Sequence, residues 1–178
     1  GLLYWPESHF DMVRPGIALY GGQPTGCPEG EGAALQPVMS FKSQVVQVKE
    51  VPAGYGLSYG HTYTTQRPSR LAILPVGYDD GYLRRLSNRA EVLIRGRRVP
   101  LRGTICMNAS VADVTEVPEV RVGDEVVLLG RQENEQIAAE ELAARLETIN
   151  YEVLCLLGSR NSRIYLGGES GEKEQQHD

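Results

Sequence analysis

The chain has 178 residues, 41% hydrophobic and 23% charged, which is the balance of a globular protein long enough to bury a real core. A formal net charge of −5 excludes a general nucleic-acid binder, because nothing neutralises phosphates in bulk. Cys27, Cys106 and Cys155 are an odd set with no CxxC spacing, and the three histidines lack metal-ligand spacing, so neither a disulfide framework nor a zinc site is expected.

Residues 1–24 read poorly as the opening of an independent domain. The stretch Asp11-Met12-Val13-Arg14-Pro15-Gly16-Ile17-Ala18-Leu19-Tyr20-Gly21 holds a short apolar core broken by Pro-Gly, as at the end of a unit begun earlier. Residues 22–35, rich in Gly, Pro and Glu, predict a linker or surface loop. From Val38 the pattern turns to β. Ser43 to Lys49 predicts one strand, and Leu71 to Val76 a buried strand with Pro near its end. Ala90 to Leu101 predicts a hairpin turning at Arg95-Gly96, and Thr104 to Val114 and Glu125 to Leu129 predict further strands. Arg84-Arg85, Arg95 and Arg97-Arg98 form a basic stretch that reads as a solvated strand face. Ile137, Leu142, Leu146 and Ile149 fall near helical spacing and predict one main helix around 138–147. Residues 167–178 are polar and charged and read as a disordered tail. No apolar run reaches membrane-spanning length. The fold class expected is mainly β, a compact barrel or a sandwich over residues 36–166, with residues 1–20 apart from that core.

Nine tyrosines against two phenylalanines is an unusual ratio. A core that needs only aromatic bulk is served by Phe, whereas a buried Tyr hydroxyl must find a partner or a task. Three tyrosines stand in marked contexts: Tyr59 in Leu57-Ser58-Tyr59-Gly60, Tyr78 in Gly77-Tyr78-Asp79-Asp80-Gly81-Tyr82, and Tyr151 in Thr148-Ile149-Asn150-Tyr151-Glu152. Glycines beside the first two permit tight turns and close approach of another chain or ligand.

These motifs, together with the stretch from Asp11 to Gly21, Gly103-Thr104-Ile105-Cys106-Met107-Asn108 and Arg160 to Tyr165, resemble the C-terminal part of alanine racemase in order and spacing. The resemblance implies a pyridoxal 5'-phosphate enzyme built from a (β/α)8 barrel followed by a β domain. Residues 1–24 would be the last segment of the barrel, and the family's Schiff-base lysine would lie before residue 1. Lys42 and Lys49 read as ordinary strand lysines, so the segment alone is expected to be inactive. The reaction implied is the interconversion of L- and D-alanine by two bases, which supplies D-alanine for the cell wall and is carried out in the cytoplasm by a homodimer that shares its active sites.

Racemisation removes a proton from one face of Cα and returns one to the other, which needs an acid/base on each face and an electron sink between them. By the resemblance, Tyr59 is the catalytic residue of one face, acting at the partner subunit's cofactor. Arg14 faces the pyridine nitrogen, and the backbone N–H groups of Gly16 and Ile17 hold the phosphate with the Tyr151 hydroxyl. Arginine donates only and keeps its proton, so that nitrogen stays an unprotonated acceptor. Met107 offers its backbone N–H to the substrate carboxylate, and Tyr78 narrows the entrance. Asp79-Asp80 are loop acids, and no metal is expected. Two positions depart from the usual family pattern: Asn108 replaces an Asp, and Thr104 stands where an arginine is common. Three other readings stay open: a broad-specificity or serine racemase, a pyridoxal decarboxylase of the same fold type, and a non-catalytic dimerisation module.

Overall fold

The computed structural model describes residues 3–24 and 34–167; Cys27, most of the expected linker and all but Gly167 of the expected tail lie outside the described residues. Among the described residues, ten strands form in chain order: β1 (Phe41–Gln44), β2 (Gln47–Val51), β3 (Gly56–Leu57), β4 (Tyr63–Thr64), β5 (Ser69–Leu74), β6 (Glu91–Ile94), β7 (Arg97–Pro100), β8 (Ser110–Asp113), β9 (Glu125–Gln132) and β10 (Glu135–Ile137). Two helices follow, α1 (Ala139–Leu146) and α2 (Asn150–Ser159).

The strand expected over 43–49 is broken at Val45-Val46. There the chain leaves one sheet and enters another. The Val45 N–H donates to the Asp124 carbonyl (2.9 Å) and the next N–H, of Val46, to the Ile73 carbonyl (3.0 Å). The side chain of Val45 is fully buried at this corner. One sheet runs β1-β9-β6-β7, with β10 also on β9; the second runs β2-β5-β8; β3 and β4 form a separate ribbon. A bridge between Leu101 and Ala112 ties the end of β7 to β8. The pairings therefore close a circuit, β2-β5-β8-β7-β6-β9-β1, and every pair is antiparallel. Such closure leaves few free strand edges, and it is the barrel-like one of the two expected arrangements.

The hairpin turns where expected. Arg95 (φ 54°) and Gly96 (φ 69°) are both left-handed, as a two-residue loop matched to strand twist requires. The strand expected from Thr104 shortens to β8. Residues 103–105 find backbone partners on side chains instead of a neighbouring strand: the Gly103 N–H donates to Asn88 Oδ1 (2.6 Å) and the Ile105 N–H to Ser87 Oγ (2.9 Å).

Helix α1 matches the expected helix, but two of the four residues used to find it lie elsewhere. Ile137 belongs to β10, and Ile149 caps α2. Helix α2 itself is not anticipated by the sequence reading, because its run Val153-Leu154-Cys155-Leu156-Leu157 has no clear polar face. Burial of Val153 and Leu157 beside Leu142 and Leu146 in the core stabilises it. The centre of the core is β9, whose residues Val126 to Leu129 are all buried.

Residues 3–15 are largely exposed, but Ile17 departs from the expectation that residues 1–20 lie apart. It is buried, and a Cβ placed on Gly22 would meet its Cγ1 at 2.8 Å and Asn150 Nδ2 at 3.1 Å.

Arg98 is not on a solvated face either. Its guanidinium reaches Glu135 Oε2 (3.0 Å), Glu91 Oε2 (3.4 Å) and both carboxylate oxygens of Glu141 (2.8 and 3.0 Å), and it donates to the Gln136 carbonyl. Arg145 donates to Glu91 and Glu141, both at 2.9 Å. One arginine thus clamps β6, β10 and α1 together. Partial burial works to raise the Glu91 carboxyl, but the hydrogen bonds and charges of Arg145 and Arg98 outweigh it and hold it below its ordinary value. A depressed carboxylate stabilises the fold above its unfolded pKa, and that contribution is lost as pH falls through the folded value. Replacing Arg98 by Met is expected to cost about 2 kcal/mol near pH 7. That is below the roughly 3–5 kcal/mol of a fully buried pair, because these side chains keep a quarter to a third of their surface. Urea unfolding should show the wild-type advantage shrinking in acid; an advantage independent of pH would assign the cost to packing alone.

Candidate functional site

Three loops on one rim of the domain carry three of the expected residues. After β3 the chain enters a 3-10 turn, Tyr59–His61, through Ser58, whose φ of 58° and ψ of −170° are a region used almost only by glycine. Gly60 (φ 74°) and His61 (φ 45°) are also left-handed. The turn thrusts Tyr59 outward, with 73% of its surface exposed.

The loop 103–108 backs this turn. Ser58 Oγ donates to the Thr104 carbonyl (2.5 Å) and lies 3.3 Å from Cys106 Sγ. Thr104 Oγ1 donates to the Tyr59 carbonyl (3.0 Å). Gly103 (φ 78°) sits so close that a Cβ there would meet the Leu57 carbonyl oxygen and Ser58 Cβ at 3.1 Å. Met107 and Asn108, further along, are exposed.

The loop 77–82 lies across the same segment. The Tyr78 N–H donates to the Cys106 carbonyl (3.1 Å) and the Asp79 N–H to the Met107 carbonyl (2.9 Å). A Cβ on Gly77 would fall 2.2 Å from the Cys106 oxygen and 2.3 Å from the Met107 oxygen, so only glycine permits this approach. Asp80 caps its own turn by accepting the Gly77 N–H (2.8 Å), and Asp79 pairs with Arg160 (3.7 Å). Tyr78 is 39% exposed. Its neighbour Tyr82 is buried in the core with a hydroxyl that has no partner within the described residues, and burial pushes that phenol well above its ordinary value. Tyr59, Tyr78 and Met107 therefore stand on adjoining loops.

The remaining expected residues gather elsewhere. Gly16 opens a second 3-10 turn, Gly16–Tyr20, at φ 57° with open space where a side chain would stand. The N–H groups of Gly16 and Ile17 begin that turn and have no partner inside it. Arg14 is exposed just before it. The Ile17 and Asn150 side chains both lie against Gly22, and Tyr151 follows in the first turn of α2, 36% exposed. Asn150, which the sequence reading did not single out, is buried and donates to the Gln23 carbonyl (3.0 Å) and to Glu140 Oε1 (2.7 Å). It fastens the N-terminal segment to both helices. The rim loop touches the other half of α2, where a Cβ on Gly81 would meet the Leu156 oxygen at 2.3 Å. Gly81 thus meets α2 at Leu156, about 7.5 Å along the helix axis from Tyr151.

Both described lysines are engaged away from these groups. Lys42 pairs with Glu125 (3.0 Å), and Lys49 donates to the Tyr55 hydroxyl (2.9 Å).

Fold and site together define a class: an antiparallel, barrel-like β domain with a helix pair, whose candidate residues gather in two groups. Residues 38–165 match the sequence model described as alanine racemase, C-terminal domain. The chain belongs to that family. It is 52% identical over 155 residues to an alanine racemase of Halothermothrix orenii, covering 87% of this chain and 41% of that protein. An alanine racemase of Desulfosudis oleivorans is 51% identical over 169 residues, covering 95% of this chain and 43% of that protein. Among solved structures, the alanine racemase of a D-cycloserine-producing Streptomyces lavendulae superposes with a TM-score of 0.83 at 42% identity, over 94% of this chain and 44% of that one. The Bartonella henselae alanine racemase, with covalently bound pyridoxal phosphate, gives 0.77 at 37% identity, over 88% and 42%. The chain spans about two fifths of the length of the relatives it matches.

Proposed function

We propose that this chain forms the C-terminal part of a pyridoxal-phosphate-dependent alanine racemase, with residues 1–24 completing a barrel and residues 36–166 forming the β domain. The observation that carries the reading is the division of the exposed candidate residues into two groups. A chain that serves one active site at its N-terminal segment and another with its rim needs such a division. The cytoplasm is the compartment that suits its free thiols, Cys106 and Cys155.

The first group fits the cofactor chemically. Two backbone N–H groups, a phenol hydroxyl and a guanidinium are all hydrogen-bond donors, as a phosphate and an acceptor ring nitrogen require. Gly16 and Ile17 with Tyr151 would hold the phosphate, and Arg14 would donate to the ring nitrogen. When bound, the cofactor supplies the electron sink for the carbanion at Cα. The second group acts on the partner subunit's site in a homodimer. Tyr59 carries the proton on one face, the Met107 N–H orients the substrate carboxylate, and Tyr78 narrows the access path. Tyr59 needs positive charge or donors around its phenolate to act near neutral pH, and the exposed rim leaves room for another surface to bring them.

The full-length product, assayed with pyridoxal phosphate, is expected to interconvert L- and D-alanine faster than L- and D-serine. A preference for serine would move the reading to a serine racemase, and no turnover of either to a dimerisation module. A polypeptide restricted to residues 1–178 is expected to show no turnover, since among the described residues the lysines, Lys42 and Lys49, are engaged elsewhere. Measurable racemisation by that polypeptide would sink the division of labour set out above.

A further inference from the structure

We propose that Thr104 is a positioning residue for Tyr59, the end of a one-way chain of hydrogen bonds that fixes the strained turn carrying the phenol. The direction of the chain follows from donor counting. The Asn88 amide nitrogen can only donate, and it donates to Thr62 Oγ1 at 3.1 Å. Thr62 Oγ1 lies 3.1 Å from Thr104 Oγ1. The single proton of Thr104 goes to the Tyr59 carbonyl at 3.0 Å. Thr62 must therefore donate to Thr104, and the order reads Asn88 to Thr62 to Thr104 to Tyr59. The chain is anchored at both ends. Asn88 Oδ1 accepts the Gly103 N–H (2.6 Å), and Ser58 Oγ donates to the Thr104 carbonyl (2.5 Å).

Such anchoring has a purpose in this turn. Ser58 holds a backbone conformation that costs on the order of 1–3 kcal/mol in any residue but glycine, so the surrounding contacts must impose it. Thr104 supplies two of them, through its hydroxyl and its carbonyl. Its side chain is buried, and its hydroxyl meets Tyr59 at the main-chain carbonyl. An arginine at this position could not play the same part, because it has no acceptor for the Thr62 proton. The inference rests on Tyr59 being the proton carrier.

The test uses the full-length enzyme with pyridoxal phosphate and compares Thr104→Val, Thr104→Ser, Thr62→Val and Tyr59→Phe. Val keeps the volume and removes the hydroxyl; Ser keeps the hydroxyl. Thr104→Val is expected to lower kcat about 10–100-fold, the scale of a small misplacement of a reacting group, with little change in KM. Amide-hydrogen exchange across residues 57–62 should quicken in Thr104→Val and return to wild type in Thr104→Ser. Thr62→Val, altered at an exposed position, should show the same signs more weakly and decides the matter if Thr104→Val does not fold. Wild-type kcat and unchanged exchange in the valine variants, with Tyr59→Phe inactive, overturn the positioning role. Near wild-type turnover of Tyr59→Phe overturns the assignment of Tyr59 instead, and the exchange measurement still decides whether Thr104 holds the turn.

Discussion

Phe in place of Tyr59 is expected to slow racemisation by the full-length protein about 10²–10⁴-fold, the usual range for loss of a positioned acid/base. The ring stays and only the hydroxyl goes. With 73% of the residue exposed, the fold should not register the change, and thermal unfolding should stay at wild type. The loss should be directional. Proton exchange at Cα on the face served by Tyr59 should collapse, while exchange on the opposite face survives, as solvent-deuterium incorporation into each enantiomer would reveal. Because the rim group stands apart from the group assigned to the cofactor, the phenol is expected to serve the other subunit. Mixing inactive Tyr59→Phe subunits with subunits inactivated at the cofactor lysine should then restore activity, since each mixed dimer holds one intact site. Confirmed subunit exchange without returning activity would show that Tyr59 serves its own chain.

Gly77→Ala is expected to destabilise the domain by about 3 kcal/mol, near the top of the range for forcing extra volume into a packed site. The backbone of Gly77 is extended (φ −149°, ψ −157°) and not left-handed, so the main cost is steric. The added Cβ would lie within 2.3 Å of two carbonyl oxygens, and backbone cannot rotate aside as a side chain can. Relief requires the 77–82 and 103–108 loops to part, which breaks the bonds from the Tyr78 and Asp79 N–H groups. Activity should therefore fall beyond what the stability loss explains, through displacement of Tyr78 and Met107 together. Gly54→Ala is the control. Gly54 is left-handed (φ 80°) but faces open space, so its substitution should cost only about 1–2 kcal/mol of backbone strain. Equal urea midpoints for the two variants would remove the steric argument.

The sequence alone determined the mainly β class, the hairpin at Arg95-Gly96, the buried strand before Pro75 and the helix from Ala139. Each depends on neighbours along the chain: glycine at a left-handed turn position, alternation over a few residues, or helical spacing. It also marked Tyr59, Tyr78, Tyr151 and the Pro15-Gly16 turn, because their motifs are local in spelling. The remaining features depend on partners that are distant in sequence and meet only in the folded chain. Val45 and Val46 look like mid-strand residues until Asp124 and Ile73 take their N–H groups in different sheets. Arg98 reads as solvated until Glu135 and Glu141 close on it from β10 and α1. Helix α2 has no polar face to reveal it, and only the core it packs against selects it. Thr104 reads in the sequence only as a departure from a family pattern. Its bonds to Thr62 and Tyr59 cross more than forty positions, and hydrogen bonds of that span leave no periodicity for a sequence reading to find.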